Sequence, residues 1–130
     1  MKILLVDDSR FLRRASEQAL GRAGYKVITA ADGEEALKIA RDQIPKLILL
    51  DMMLPKLPGL EVLRALKQDA ATKDIPVIIL TGLSDRNSEK LLQEGAISYV
   101  QKSDKLLEKD GAVLIQAVVQ VIGKAAASGS

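Results

Sequence analysis

The amino-acid sequence predicts an α/β domain built on a doubly wound, five-stranded parallel sheet. The first observation is that short apolar runs, such as residues 2–6 and 47–50, alternate with segments whose apolar residues recur at helical spacing. This alternation is typical of repeated βαβ units with a buried parallel sheet. The second is that hydrophobic residues make up 48% of the 130 residues, which is enough for one substantial core.

The strands are expected near residues 2–6, 26–30, 46–50, 76–80 and 97–101. Residues that can open a helix follow four of the strands: Ser9, Asp32, Pro58-Gly59, and either Asp85 or Ser88. Gly95 ends the fourth helix, and the last helix runs from about residue 106 or 111 to about 124. Right-handed crossovers then favour the flavodoxin-like strand order 2-1-3-4-5.

The amino-acid composition excludes several classes of function. The chain contains no Cys and no His, so thiolate chemistry and imidazole catalysis are excluded, and a reducing, cytoplasmic location is the default expectation. No apolar run approaches the roughly 20 residues that a membrane helix needs. The net charge of +2 is small and the basic residues are scattered, so direct nucleic-acid binding is not expected. Residues 1–124 are expected to form the domain, and 125–130 a flexible tail, linker or cloning remnant.

Polar side chains stand where the predicted strands stop. Asp7 and Asp8 follow the first strand, Asp51 the third, Thr81 the fourth, and Lys102 closes the fifth. Ligands of open α/β sheets bind outside the carboxyl ends of the strands, so these side chains describe one site. In the order 2-1-3-4-5 the first and third strands are neighbours, which brings the three carboxylates into one crevice.

Three crowded carboxylates repel one another unless a cation relieves the crowding. Mg²⁺ fits best, because it binds one or two carboxylates, keeps several waters and shares its shell with phosphate. One carboxylate can then act as a nucleophile towards phosphorus. Asp51 is the candidate, since it lies alone at its strand end, whereas Asp7 and Asp8 are better suited to holding metal. Lys102 would balance the charge of the transferred oxygens, and Thr81 could donate a hydrogen bond to them.

Each residue also has a plainer interpretation when it is taken alone. The acidic pair Asp7-Asp8 could complement a helix macrodipole, a contribution of about 0.3 to 1 kcal/mol. Thr81 before Gly82 could start a turn, and Lys102 could be an ordinary surface lysine. The combination at these spacings favours a functional site.

With these residues the chain resembles the receiver domain of bacterial two-component response regulators, including the single-domain chemotaxis regulator. The resemblance covers about residues 1–124 and rests on these motifs: Val6-Asp7-Asp8-Ser9, Asp51 after Leu49-Leu50, Leu54-Pro55, Pro58-Gly59, Thr81-Gly82, and Tyr99 three residues before Lys102. It implies that Asp51 accepts a phosphoryl group from a histidine kinase or phosphotransfer protein. It also implies that Asp8, Asp51 and the Met53 backbone carbonyl bind Mg²⁺, with Asp7 reached through water, and that Thr81 and Tyr99 form a switch pair.

Two features depart from that family. Ser103 follows Lys102 where the family usually has a proline in a cis peptide, and a trans bond is expected here because a non-proline cis bond costs about 2.5 to 4 kcal/mol. Met53 and Leu83, which flank the phosphoryl position by resemblance, are apolar. They are expected to screen the acyl phosphate from water and lengthen its lifetime.

The last helix is apolar almost all round, although a surface helix needs only one apolar stripe. A homodimer or a docked partner is therefore expected on the face formed by the fourth helix, fifth strand and fifth helix, which the resemblance makes the signalling surface. The sequence as a whole predicts a phosphorylation-dependent switch with weak self-phosphorylation and self-dephosphorylation, not a turnover enzyme. The alternatives are a metal-dependent phosphohydrolase with an aspartyl nucleophile, or a scaffold pseudo-receiver that is never phosphorylated.

Overall fold

The computed structural model describes residues 1–82, 88–102 and 106–123. Five strands alternate with five helices along the described chain. In order they are β1 (Lys2–Val6), α1 (Arg10–Arg22), β2 (Lys26–Ala30), α2 (Gly33–Gln43), β3 (Leu47–Asp51), α3 (Gly59–Gln68), β4 (Val77–Thr81), α4 (Ser88–Gln93), β5 (Ser98–Gln101) and α5 (Glu108–Ile122). None of the helices within these ranges is both long and apolar enough to cross a bilayer.

The five strands form one sheet in the order β2-β1-β3-β4-β5, and every neighbouring pair is parallel. The predicted fold class and strand order are therefore confirmed. The predicted positions of β3, β4 and β5 were slightly early: β3 and β4 each begin and end one residue later, and β5 begins one residue later. Asp51 and Thr81 are consequently the last residues of their strands instead of the first residues beyond them.

The sheet is buried on both faces. One core cluster contains Leu4, Val6, Ile48 and Leu50 beneath α2 and α3, and the other contains their strand neighbours, such as Ile3 and Leu5, beneath α1 and α5. Successive side chains of a strand point to opposite faces, so an unbroken apolar run can fill both layers. For this reason the central strand β3 consists only of Leu and Ile before its last residue, Asp51.

The predicted N-caps of the first two helices are confirmed. Ser9 Oγ accepts a hydrogen bond from the backbone N–H of Leu12 at 3.3 Å, and Asp32 Oδ1 accepts one from that of Glu35 at 2.9 Å. Pro58 precedes α3 without a side-chain cap, as a proline must. The described part of α4 begins at Ser88, and Asp85, the other proposed start, lies outside the described residues.

The last helix differs from a regular helix at its start. Lys109, Asp110 and Gly111 have positive φ values of 54°, 58° and 80°, so the regular part of α5 follows Gly111. A Cβ atom at Gly111 would lie 2.8 Å from the Cβ of Ala19, so glycine allows α5 to approach α1 closely. The Lys102–Ser103 peptide and the tail 125–130 lie outside the described residues.

Candidate functional site

The acidic residues meet at the carboxyl edge of the sheet. Asp51 ends β3, Asp7 and Asp8 follow β1, and the two strands pair in parallel up to Val6 opposite Leu50. Carboxylate oxygens of Asp7, Asp8 and Asp51 all lie within 4.8 Å of one another. The structure thus brings together the three carboxylates that the sequence predicted to meet.

Asp7 is buried and held from several sides. Its Oδ1 accepts a hydrogen bond from the Ser9 backbone N–H at 2.9 Å, and its own N–H donates to the Ala30 carbonyl at 3.1 Å. The guanidinium of Arg13 donates to the Asp7 backbone carbonyl through Nη1, also at 2.9 Å. Asp7 therefore has little freedom to move towards a ligand.

Asp51 is 2% exposed, yet both of its carboxylate oxygens have partners. Oδ1 accepts from the Met53 backbone N–H at 3.1 Å, and Oδ2 accepts from Lys102 Nζ at 3.1 Å. Burial raises the pKa of Asp51 above its usual value of 3.8, although these two hydrogen bonds act in the opposite direction, and the charge of Asp7 raises the pKa further. The surroundings of Asp51 therefore disfavour its charge, and Lys102 and the Met53 N–H offset this in part.

Lys102 supplies the positive charge of the site. Its backbone N–H donates to the Thr81 carbonyl at 2.7 Å, which anchors the residue beyond the end of β5. Its Nζ lies 3.1 Å from Asp51 Oδ2 and 3.5 Å from Asp7 Oδ2. Burial lowers the pKa of Lys102, but the hydrogen bond to Asp51 and the charges of both aspartates outweigh it, so its pKa is raised overall. The ammonium bridges the two buried carboxylates.

The remaining predicted site residues lie at different depths. Thr81 is buried at the end of β4, the strand next to β3. Tyr99 on β5 is partly exposed, at 36%, and Met53 is 73% exposed beside Asp51. Leu83 lies outside the described residues.

One side of the acidic cluster is open. Asp8 is exposed, and it borders a cleft of about 520 Å³ whose other walls come from the loop after β3: Met52, Met53, Leu54, Pro55 and Pro58. Hard oxygen ligands with an open side fit Mg²⁺, which keeps several waters and accepts phosphate oxygens in its shell. The donor set and its accessibility therefore suit this ion.

Two contacts of the site escaped prediction. Arg13 reaches back to the Asp7 carbonyl, and Lys56 pairs with Asp32 at the edge of the loop after β3, with 3.5 Å between Nζ and Oδ2. Arg13 stands one turn inside α1, where an exposed or an inward position is equally compatible with the sequence. Lys56 and Asp32 are separated along the chain by α2 and β3, so only the folded chain brings them together.

The fold and the acidic site define a receiver domain, and the chain belongs to the response regulator receiver domain family, whose sequence model matches residues 3–109. Among curated relatives, the probable transcriptional regulator ycf27 of Porphyridium aerugineum is 42% identical over 130 residues, which cover 98% of this chain and 51% of that protein. The alkaline phosphatase synthesis transcriptional regulatory protein PhoP of Bacillus subtilis is 45% identical over 102 residues, which cover 78% of this chain and 42% of that protein. This chain spans about half the length of such relatives.

Solved structures agree with this assignment. Chemotaxis protein CheY4 of Vibrio cholerae superposes with a TM-score of 0.82 at 30% identity, covering 92% of this chain and 97% of that one. The receiver domain of sensor histidine kinase PA1611 from Pseudomonas aeruginosa has magnesium coordinated in its active site cleft. It superposes with a TM-score of 0.82 at 31% identity, and the match covers 95% of this chain and 98% of that one. A magnesium-bound relative thus has the same fold.

Proposed function

We propose that the chain is a phosphorylation-dependent switch in which Asp51 accepts a phosphoryl group from a histidine kinase or phosphotransfer protein. The observation that carries this is the arrangement of Asp51, whose carboxylate lies within 4.8 Å of Asp7 and Asp8 and 3.1 Å from the ammonium of Lys102. A nucleophilic carboxylate, a cation-binding acidic pair and a fixed ammonium are the groups that phosphoryl transfer requires.

In the transfer, a carboxylate oxygen of Asp51 attacks phosphorus, and the bond from phosphorus to the donor's imidazole nitrogen breaks with its electron pair remaining on nitrogen. Lys102 donates to the transferred oxygens and balances their charge. Mg²⁺, held by Asp8, Asp51 and the Met53 carbonyl, with Asp7 reached through water, would neutralise charge on the phosphoryl oxygens. Because Asp7 is fixed by Ser9 and Arg13, Asp8 is the carboxylate free to adjust.

The switch itself is assigned to Thr81 and Tyr99. Thr81 stands at the end of β4, beside the strand of Asp51, and its hydroxyl would turn towards the phosphoryl group. Tyr99 lies one strand further out and is partly exposed, so an inward turn of its ring would change the surface that a partner meets. Weak self-phosphorylation and self-dephosphorylation belong to the same proposal.

The curated relatives are named as transcriptional regulators and are about twice as long, so nucleic-acid binding by a longer protein is compatible with a domain that itself contacts none. A cytoplasmic location stays a prediction.

Intact-protein mass spectrometry tests the phosphorylation of Asp51. Incubation with Mg²⁺ and a small acyl phosphate should add one phosphoryl group, and a chelator should prevent the addition.

A phosphohydrolase is not favoured. An aspartyl phosphohydrolase of the haloacid dehalogenase type carries a second Asp two residues after its nucleophile, and this chain has Met53 there. A scaffold pseudo-receiver is not favoured either, because the acidic cluster and Lys102 are both in place. Steady-state turnover of phosphate esters would support the first alternative, and a complete lack of phosphoryl incorporation would support the second.

We predict that the double variant Met53→Asn, Leu83→Glu shortens the half-life of the phosphorylated chain by about tenfold, a change of about 1.4 kcal/mol in the hydrolysis barrier. Met53 is an exposed apolar side chain beside Asp51, and polar replacements would give water a path for in-line attack. The decay of isolated phosphoprotein, followed by mass spectrometry, measures this. Ile44→Asn, which changes an exposed apolar residue before β3, is the control. An unchanged half-life would refute the screening role.

We also predict self-association through the α4-β5-α5 face. Four large apolar side chains are exposed there: Leu92, Ile97, Tyr99 and Val113. Sedimentation velocity over a range of concentrations, with and without phosphorylation, should detect a dimer that the variant Val113→Glu weakens. A chain that stays monomeric at high concentration in both states would contradict the homodimer and leave a different protein as the partner of this face.

A further inference from the structure

The loop between β3 and α3, residues 52–58, borders the acidic cluster and has an unusual backbone. Lys56 has a φ of 66°, in the left-handed region that side chains other than glycine seldom occupy. The Leu57 N–H donates to the Pro55 carbonyl at 2.7 Å, so Lys56 is the central residue of a γ-turn in its strained, positive-φ form. Such a conformation persists where the surroundings hold it.

One restraint is the side chain of Lys56. Its Nζ lies 3.5 Å from Oδ2 of Asp32, while Oδ1 of the same carboxylate accepts the Glu35 N–H at 2.9 Å. The pKa of Asp32 is lowered, first by the backbone hydrogen bond from Glu35 and further by Lys56. Asp32 therefore stays charged and joins two elements, the N-terminus of α2 and the loop after β3.

The second restraint is close packing of backbone at both ends of the loop. A Cβ atom at Gly33 would lie 2.7 Å from the Leu57 carbonyl oxygen, so α2 and the loop touch directly. At the other end, the Gly59 N–H donates to the Met52 carbonyl at 3.1 Å, and a Cβ atom there would lie 2.5 Å from the Asp51 carbonyl oxygen. The loop is thus fixed against α2 as well as against β3.

We propose that Lys56 is a positioning residue for the metal site. We call the contacts of Lys56 and Leu57 with Asp32 and Gly33 the loop latch. The latch holds the strained turn, and through the backbone from Met53 to Leu57 it sets the position of the Met53 carbonyl relative to the acidic cluster. This inference rests on the proposed function, since it concerns the carbonyl assigned there to Mg²⁺.

The test is the dissociation constant of Mg²⁺ for the unphosphorylated chain, measured by isothermal titration calorimetry. Lys56→Met keeps a long side chain but removes the ammonium, and it should weaken Mg²⁺ binding by about tenfold, as expected when a group that orients a ligand is lost. The direction of the change in Mg²⁺ affinity separates a positioning effect from a charge effect. A simple charge effect would act the other way, because removing a positive charge near the acidic cluster strengthens cation binding.

Matched variants separate the latch from other effects. Lys56→Arg should restore the wild-type affinity, and Lys38→Met, at an exposed lysine of α2, should leave it unchanged. Asp32→Asn keeps a capping oxygen for Glu35 and loses the ion pair. If the latch operates through that pair, the double variant Asp32→Asn, Lys56→Met should bind Mg²⁺ no more weakly than the weaker single variant.

The outcomes are distinct. A wild-type chain that binds no Mg²⁺ would overturn the proposed function and the latch with it. If the wild type binds and Lys56→Met binds as tightly or more tightly, only the latch is overturned. A lower melting temperature in EDTA with an unchanged dissociation constant would likewise refute it, because Lys56 would then have a purely structural role.

Discussion

Replacing Asp51 by Asn should abolish phosphoryl incorporation and leave the fold intact. The amide oxygen can still accept from Met53 or Lys102, so the local hydrogen bonding is largely kept. An amide lacks the anionic oxygen that attacks phosphorus, and transfer should therefore fall below detection. The measurement is intact-protein mass spectrometry after incubation with Mg²⁺ and a small acyl phosphate, with circular dichroism to establish folding.

The sign of the stability change adds an independent check. Burial raises the pKa of Asp51, so the ionised form of the carboxylate costs stability relative to a neutral side chain. Asp51→Asn should accordingly melt no lower than the wild type in the absence of divalent ions. Asp42→Asn, at an exposed carboxylate of α2, is the matched control and should be phosphorylated normally. Undiminished labelling of Asp51→Asn would place the acceptor elsewhere.

The parts of the site that sequence reasoning predicted share one physical basis. Parallel strands end on the same edge, and apolar runs locate those ends to within a residue, so Asp7, Asp51 and Thr81 could be brought together without coordinates. The ends of β3 and β4 were predicted one residue early because a polar last residue was taken as the first residue of the following loop. The backbone pairing of Met52 N–H with the Leu80 carbonyl continues the ladder past the last apolar side chain.

The contacts that escaped prediction depend on tertiary packing. The positive φ of Lys56 and its pairing with Asp32 require α2 and the loop after β3 to be docked already. The left-handed start of α5 at Lys109 and Asp110 likewise accompanies the close approach of Gly111 to α1. Neither Lys nor Asp favours the left-handed conformation strongly enough for it to be predicted from the sequence, because packing easily outweighs such differences in propensity.

The second large effect is expected for Lys102→Met, which should lower the free energy of unfolding by about 3 kcal/mol at neutral pH without divalent ions. The side chain of Lys102 is only 21% exposed, and its ammonium lies between Asp51 and Asp7, whose side chains are 2% and 3% exposed. Methionine fills much of the same volume and removes the charge. Two buried carboxylates would then face each other without a cation. Chemical denaturation of both proteins in EDTA measures the loss.

Mg²⁺ and acid should both relieve that loss, and the direction of each follows from the charges. An ion bound to the cluster replaces part of the missing positive charge, so added Mg²⁺ should stabilise Lys102→Met more than the wild type. Without Lys102 the folded-state pKa of Asp51, already raised, rises further. The cost is present in full above that pKa, and it disappears as the pH falls through it towards the usual value of 3.8, because the folded chain then takes up a proton.

The dependence on pH decides between charge and packing as the origin of the effect. If the lost stability came from contacts of the lysine stem, Lys102→Met would be destabilised equally in mild acid and at neutral pH, and Mg²⁺ would not restore it selectively. Lys46→Met, at an exposed lysine just before β3, controls for the general loss of a positive charge. An equal loss in that control would also refute the role of Lys102 as the counter-ion. A pH-dependent loss at Lys102 alone would mean that the acidic cluster is anionic in the folded chain and needs a cation, which is the condition for binding Mg²⁺ and for keeping Asp51 a nucleophile.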